Sequence, residues 1–312
     1  MFTSTSTASP AGTITAYTWN FGTGATPAAA STVGPHTVSY SSTGTRTVAL
    51  TITDSNGCSA TVSQDVMVNP MVTVTAAAIP TTICNGQANT TLNANPSGGA
   101  GFTYAWSNGA GTSQSVVVSP TTNTTYTVTV TNSNGCTGTA NVSVNVNNLP
   151  SVSLSSTATN GVNIACFGGS TGSITTSVSG GAPFSYNWSG PTTIPVNTAN
   201  PSGLSVGTYR VTVTNANGCT ATSSIVLTQP AQPLNAGTCT VLDDRCQVGQ
   251  GQVRIQAQGG TLPYTVSWTP SHGTPNSPQF IATNGGSVLI SGLRGNVGYT
   301  FIVNDANGCQ AP

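Results

Sequence analysis

Tyr126-Thr127-Val128-Thr129-Val130-Thr131-Asn132-Ser133-Asn134-Gly135-Cys136 decides how this chain folds, because the same phrase, lightly edited, stands at 48–58, 209–219 and 299–309. In each copy aromatic and aliphatic residues alternate mostly with threonine, the period-2 signature of a strand with one dry face and one wet face. Asn-Gly follows, a dipeptide that tolerates positive φ and predicts a tight hairpin turn. A cysteine comes immediately after it. A phrase returning at about 80-residue intervals predicts an all-β chain of four small modules in series, at 1–69, 70–149, 150–230 and 231–312.

Charged residues make up only 3% of the 312 residues, against about 25% in ordinary soluble domains. Lysine and glutamate are absent and the formal net charge is zero. Nothing in such a field steers a nucleic acid or an anionic membrane toward the chain. Solubility must come from hydroxyl and amide groups, whose hydration salt hardly alters, which suits work outside the cell. No apolar run approaches the roughly 20 residues of a membrane-spanning helix, so no membrane insertion is expected of this segment. Met1-Phe2-Thr3-Ser4-Thr5-Ser6-Thr7 lacks the basic and apolar parts of a signal peptide. The expectation is a mature segment or an excerpt of something longer.

Eight cysteines in modules this small point to an oxidising compartment. There is no Cys-x-x-Cys spacing, and only His36 and His272 could join a metal, so no zinc site is expected.

Module one contains Trp19-Asn20-Phe21-Gly22-Thr23-Gly24. This phrase resembles the Trp-Asp-Phe-Gly-Asp-Gly signature of PKD domains, immunoglobulin-like sandwiches of surface proteins. Both acidic positions are changed here, to Asn20 and Thr23. Against that pattern, module one is expected to lack its first strand. Module three carries Cys166-Phe167-Gly168-Gly169, Gly180-Gly181-Ala182-Pro183 with Tyr186 and Trp188, Gly207-Thr208-Tyr209, and Asn217-Gly218-Cys219. In combination these resemble the SprB-type repeat of surface adhesins in gliding bacteria of the Bacteroidetes. Module four repeats the plan more loosely, with Gly259-Gly260, Tyr264 and Trp268, an insertion near 270–279, and no closing strand. Such unfinished modules fit an excerpt of a longer repeat protein, or a terminal sheet completed by a strand from a neighbouring chain. Proline at each junction, Pro70, Pro150 and Pro230, predicts stiff linkers and an extended rod.

Domains of this size are marginal on burial alone, so cross-links matter. The module plan pairs Cys84 with Cys136, Cys166 with Cys219, and Cys246 with Cys309, each loop contributing up to roughly 4 kcal/mol. Cys58 and Cys239 remain unassigned, with Cys239 an alternative partner for Cys309. Trp19, Trp106, Trp188 and Trp268 recur at one position, where immunoglobulin-like folds place a core tryptophan. Tyr126, Tyr209 and Tyr299 open the next-to-last strand in the manner of a tyrosine corner, with hydroxyls turned to backbone.

No catalytic, cofactor or metal site emerges. Asp54 and Asp305 precede Asn-Gly where the other copies have Asn132 and Asn215, a swap that points to turn-making. Asp243-Asp244-Arg245 could at most attract calcium. His36 and His272 lack partners for acid–base work. The glycine-rich pieces lead into strands, without the helix N-terminus that phosphate binding requires. Sequons at Asn89, Asn123, Asn141 and Asn187 follow from composition.

The resemblances imply a non-enzymatic, extracellular adhesive or structural segment on the outer cell surface. Its expected partners are surface glycans, other cell-surface proteins, neighbouring modules or copies of itself. The alternatives are a carbohydrate-binding accessory of a secreted polysaccharide-degrading enzyme and a self-assembling fibre subunit.

Overall fold

The computed structural model describes residues 1–8, 12–237, 239–242, 249–271 and 276–311, and among them every regular element is a β-strand. The all-β class follows from the alternation of the sequence. The chain divides into two compact units, Met1–Val146 and Asn147–Pro312.

In the first unit, the strands Ala29–Ala30, Ile14–Asn20, Gly44–Asp54 and Ser59–Val68 lie in that order in one antiparallel sheet. Its face buries Trp19, Phe21, Val48 and Leu50, and Phe2 is pinned over them by a two-way backbone bridge to His36 (2.9 and 2.8 Å). Val62, directly opposite Leu50 in register, stays 63% exposed, on a strand that is the edge of its sheet among the described residues.

The second core of this unit is more complete. A sheet of Thr103–Trp106, Thr124–Thr131, Thr137–Asn147 and Thr82–Cys84 accompanies one of Ser115–Val118, Thr90–Ser97 and Thr73–Ile79. Along Thr124–Thr131, Tyr126, Val128 and Val130 are buried while the threonines between them face outward or are half-covered. Eleven residues are buried here against four in the first core. At about 1.5–3 kcal/mol for a large apolar side chain, the second core is the sturdier.

The second unit also holds two cores. One buries Ile164, Ile174, Leu204, Tyr209 and Leu227 beneath Ser185–Ser189, Gly207–Thr214 and Thr220–Leu227, with Ser151–Ser155 paired to Thr175–Ser179. The other is built on Gly251–Gln258 with Ser287–Leu293, and on Tyr264–Pro270 between Gln279–Ile281 and Tyr299–Asn304. It buries Val253, Ile255, Tyr264, Val266, Ile290 and Val303 among others.

The hairpins turn at Asn-Gly, through Ser55-Asn56-Gly57 and its three counterparts. In Asp54-Ser55-Asn56-Gly57-Cys58 the Gly57 N–H closes on Asp54 O (3.1 Å), and the Asp54 N–H reaches Cys58 O (2.9 Å). The other three copies repeat these bonds. Only the glycine takes positive φ, +77° to +81° across the copies. The asparagine before it is therefore free to serve through its side chain.

Candidate functional site

The four repeated turns share one construction. Asp54 Oδ1 accepts from the N–H groups of Asn56 (2.9 Å) and Cys58 (3.0 Å). Asn132 does the same for Asn134 and Cys136, Asn215 for Asn217 and Cys219, and Asp305 for Asn307 and Cys309, all between 2.9 and 3.1 Å. A neutral amide oxygen and a carboxylate do this equally, so the aspartates here are turn-makers.

The second side-chain atom explains which residue stands where. Asn132 Nδ2 donates to Gly98 O (3.1 Å), and Asn215 Nδ2 donates to Gly180 O (3.1 Å) and Asn148 O (3.2 Å). At Asp305 the corresponding Oδ2 accepts from the Thr261 N–H (2.9 Å). Carbonyls require the amide and an N–H requires the carboxylate. All three side chains are buried.

Double glycines make room for this lock. A Cβ on Gly99 would lie 2.8 Å from Asn132 Nδ2, and one on Gly260 would lie 2.6 Å from Asp305 Oδ2. Their predecessors Gly98 and Gly259 press against the chain entering the same core, where a Cβ would meet Met71 O at 2.0 Å and Pro233 O at 1.9 Å. At Asn132, Asn215 and Asp305 the Gly-Gly pair and the Asx turn are thus one device, which seats the hairpin on its own entry segment.

This placement overturns the expected cysteine pairing. Cys219 sits with the Asn215 turn at the entry end of its core, beside Asn148. Cys166 sits at the far end, where the N–H groups of Asn163 and Ile164 donate to Thr228 O and the Gly168 N–H donates to Gln229 Oε1. The strand Thr220–Leu227 separates them, about 25 Å at strand rise. Cys166 instead bonds Cys309, with Cα atoms 5.6 Å apart. Likewise Cys84 ends the strand Thr82–Cys84, and the oxygen of Thr81 just before that strand takes the Asn145 N–H, nine residues along the hairpin strand from Cys136. Cys136 is a free thiol, as are Cys58 and Cys239, while Cys84 and Cys219 are disulfide-bonded. Cys246, Asp243-Asp244-Arg245 and His272 lie outside the described residues.

Where the two cores of the second unit meet, the joint is built as well as bonded. Asn160 Nδ2 donates to Asn307 Oδ1 (2.7 Å), and Asn307 Nδ2 donates to Ala165 O (3.1 Å) and Thr261 Oγ1 (3.1 Å). The asparagine of Asn-Gly therefore plugs the turn of one core into the opening loop of the core before it. Cys309 is buried in this joint.

Trp19 and Trp106 are buried, and their Nε1 atoms donate to Thr32 O (3.0 Å) and Ser113 O (2.9 Å). Trp188 packs half-buried and donates to Thr198 O (2.8 Å); Trp268 packs against the last core. Tyr209 Oη donates to Ser205 O (3.0 Å) and Thr192 Oγ1 (2.9 Å), and Tyr299 Oη accepts from the Arg294 N–H (3.0 Å). Tyr126 is buried, and burial pushes its phenol pKa up. Tyr264 carries the same kind of polar tip, donating to Gly259 O (2.6 Å) and Asn284 Oδ1 (3.1 Å). Burial, and then the negative charge of Asp305, push its pKa up.

The remaining polar chemistry is structural. His36 lies edge-on to Trp19 and Phe21 (centroids 5.6 Å from each), with Nε2 against Thr32 O (2.9 Å). Asp65 accepts from Thr47 Oγ1 (2.6 Å) across its strand pair. Among the described residues no three His, Cys, Asp or Glu side chains gather where a metal could sit. A groove of about 310 Å³ beside Tyr299, Phe301 and Arg294 offers apolar walls and, among the described residues of its lining, one guanidinium and no carboxylate or imidazole.

Among solved structures the chain is similar to the N-terminal eight Ig domains of Down syndrome cell adhesion molecule (12% identity, 92% of this chain and 62% of that one, TM-score 0.31). It thus spans less than two thirds of that chain's length. It is similar also to a tetra-tandem repeat in the extending region of a large adhesion protein (15% identity, 95% and 89% coverage, TM-score 0.34). A third is a Ca2+-stabilized adhesin that helps an Antarctic bacterium reach out and bind ice (17% identity, 95% and 87% coverage, TM-score 0.32). Likenesses this loose carry no argument about what this chain binds. No match is found among curated proteins. Residues 1–70 match the family model of the PKD domain and residues 158–193 match that of the SprB repeat, so this all-β chain carries a segment of each kind.

Proposed function

We propose that the chain is a non-catalytic, extracellular spacer and adhesive segment of a large bacterial surface adhesin or cell-surface filament. The modules are taken as 1–69, 70–149, 150–230 and 231–312, a division supported by four hydrophobic clusters that each draw on one of these stretches. The observation that carries the reading is the Cys166–Cys309 disulfide, whose first cysteine lies in the SprB-matching segment. Such a bond persists in oxidising surroundings, and it fastens one β core to the next instead of shaping a cleft.

The absence of charge steering fits contact with neutral partners: surface glycans, other cell-surface proteins, or further copies of such modules. The resemblance to SprB repeats favours the outer-membrane exterior of a gliding bacterium of the Bacteroidetes. An antibody raised against residues 1–312 tests the placement. It is expected to label intact, unpermeabilised cells of the producing organism, and labelling that appears only after permeabilisation contradicts the reading.

A further inference from the structure

We propose that the Cys166–Cys309 disulfide is a tension bypass, which lets pulling force cross the second unit without passing through most of its strands. Its biological meaning rests on the surface-spacer reading, whereas its physics rests on connectivity alone. The unit's first core is entered at Pro150, beside Gly180 and the Asn215 turn. Its opening strand, Ser151–Ser155, leads away from that end, paired over five positions with Thr175–Ser179. The loop that follows delivers Cys166 to the opposite end, beside Thr228 and Gln229. There the chain is joined covalently to Cys309.

Tension applied across residues 147–311 therefore runs along one strand and one loop, crosses the sulfur pair, and leaves through Gln310 and Ala311. Residues 167–308, which hold the other strands of both cores, hang from this path as a closed loop. Hydrogen-bonded strand pairs yield to force long before a covalent bond does. The joint is also held in register by the Asn160, Ala165 and Asn307 contacts, so the two sulfurs are presented to each other by the folded cores. An array clamped in this way keeps its length under loads that would otherwise pull its sandwiches open.

The size of the effect is set by the loop. The two cysteines are 143 residues apart, and at about 3.3–3.6 Å per extended residue the bond conceals roughly 50 nm of chain. The test is single-molecule force spectroscopy on the full chain, with handles attached at residues 147 and 311. The oxidised protein is expected to lengthen by no more than about 10 nm. Cys309→Ser is expected to release roughly 50 nm more, in unfolding steps. Should that variant fail to fold, dithiothreitol added to the already folded, tethered wild type replaces it. The reagent reduces the disulfide to two thiols and is itself oxidised to its cyclic disulfide, and the same gain is expected. Equal extension with and without the bond overturns the bypass. If surface labelling fails while the 50 nm difference appears, the clamp stands and its biological setting falls. If labelling succeeds and the extensions are equal, only the clamp falls.

Discussion

Exchanging the buried residue of a single turn tests the account of the repeated hairpins. In Asn215→Asp, one carboxylate oxygen keeps the bonds from the Asn217 and Cys219 N–H groups (3.1 and 3.0 Å). The other replaces an amide donor that now reaches Gly180 O and Asn148 O at 3.1 and 3.2 Å. Two hydrogen bonds of about 0.5–1.5 kcal/mol each are lost, and a buried charged oxygen is left facing two acceptors. The expected cost is about 2–4 kcal/mol at pH 7, which in a core of this size is a fall in melting temperature on the order of 10–25 °C. Protonating the new carboxyl restores a donor, so its pKa in the folded state is raised. The penalty is therefore small below the unfolded value of about 3.9 and grows as pH rises above it. Differential scanning calorimetry of the full chain at pH 4 and pH 7 reads both effects. A variant as stable as the wild type at pH 7, or one destabilised more at pH 4 than at pH 7, refutes the reasoning. The reverse exchange, Asp305→Asn, places an amide nitrogen against the Thr261 N–H, and its expected loss is about 1.5–3 kcal/mol.

Two further outcomes follow from the same geometry. Gly259→Ala puts a Cβ 1.9 Å from Pro233 O at φ +75°, whereas Gly57→Ala at φ +77° meets nothing within 4 Å. Urea titration is expected to show a loss of several kcal/mol for the first, since backbone must move, and only about 1–2 kcal/mol for the second; equal losses contradict the seating of the hairpin on its entry segment. The raised pKa values of Tyr126 and Tyr264 mean that the folded chain holds these phenol protons more tightly than the unfolded one. Their contribution is complete below about pH 10 and declines as pH rises further. Melting curves between pH 7 and pH 11 check this, and Tyr264→Phe is expected to flatten part of the alkaline decline.

Alternation of valine and tyrosine with threonine made the strands legible, because a sheet with one wet face leaves little other choice for 124–131 or 207–214. The same simple pattern hid the lock at the hairpin. Gly98-Gly99, Gly180-Gly181 and Gly259-Gly260 recur ahead of the buried Asn132, Asn215 and Asp305, yet sequence alone does not say that a glycine pair clears space for an Asx side chain. The cysteine pairing was not legible in the spacing of the repeats. Between Cys166 and Cys219 the chain forms the strands Gly172–Ser173, Thr175–Ser179, Ser185–Ser189, Ser202–Leu204 and Gly207–Thr214. The folded core leaves Cys166 beside Thr228 and Gln229 and Cys219 beside Asn148, at opposite ends of the strand Thr220–Leu227. Nor does the sequence supply the partner, since the approach of Asn307 to Ala165 depends on how one core packs on the next.

Peptide mapping without reduction, after alkylation of free thiols, addresses the idea that successive β cores are fastened to one another. A peptic digest of the oxidised chain is expected to yield a cross-linked pair containing Cys166 and Cys309, with Cys136 recovered in alkylated form. Recovery of Cys166 linked to Cys219, or of Cys309 as a free thiol, contradicts it.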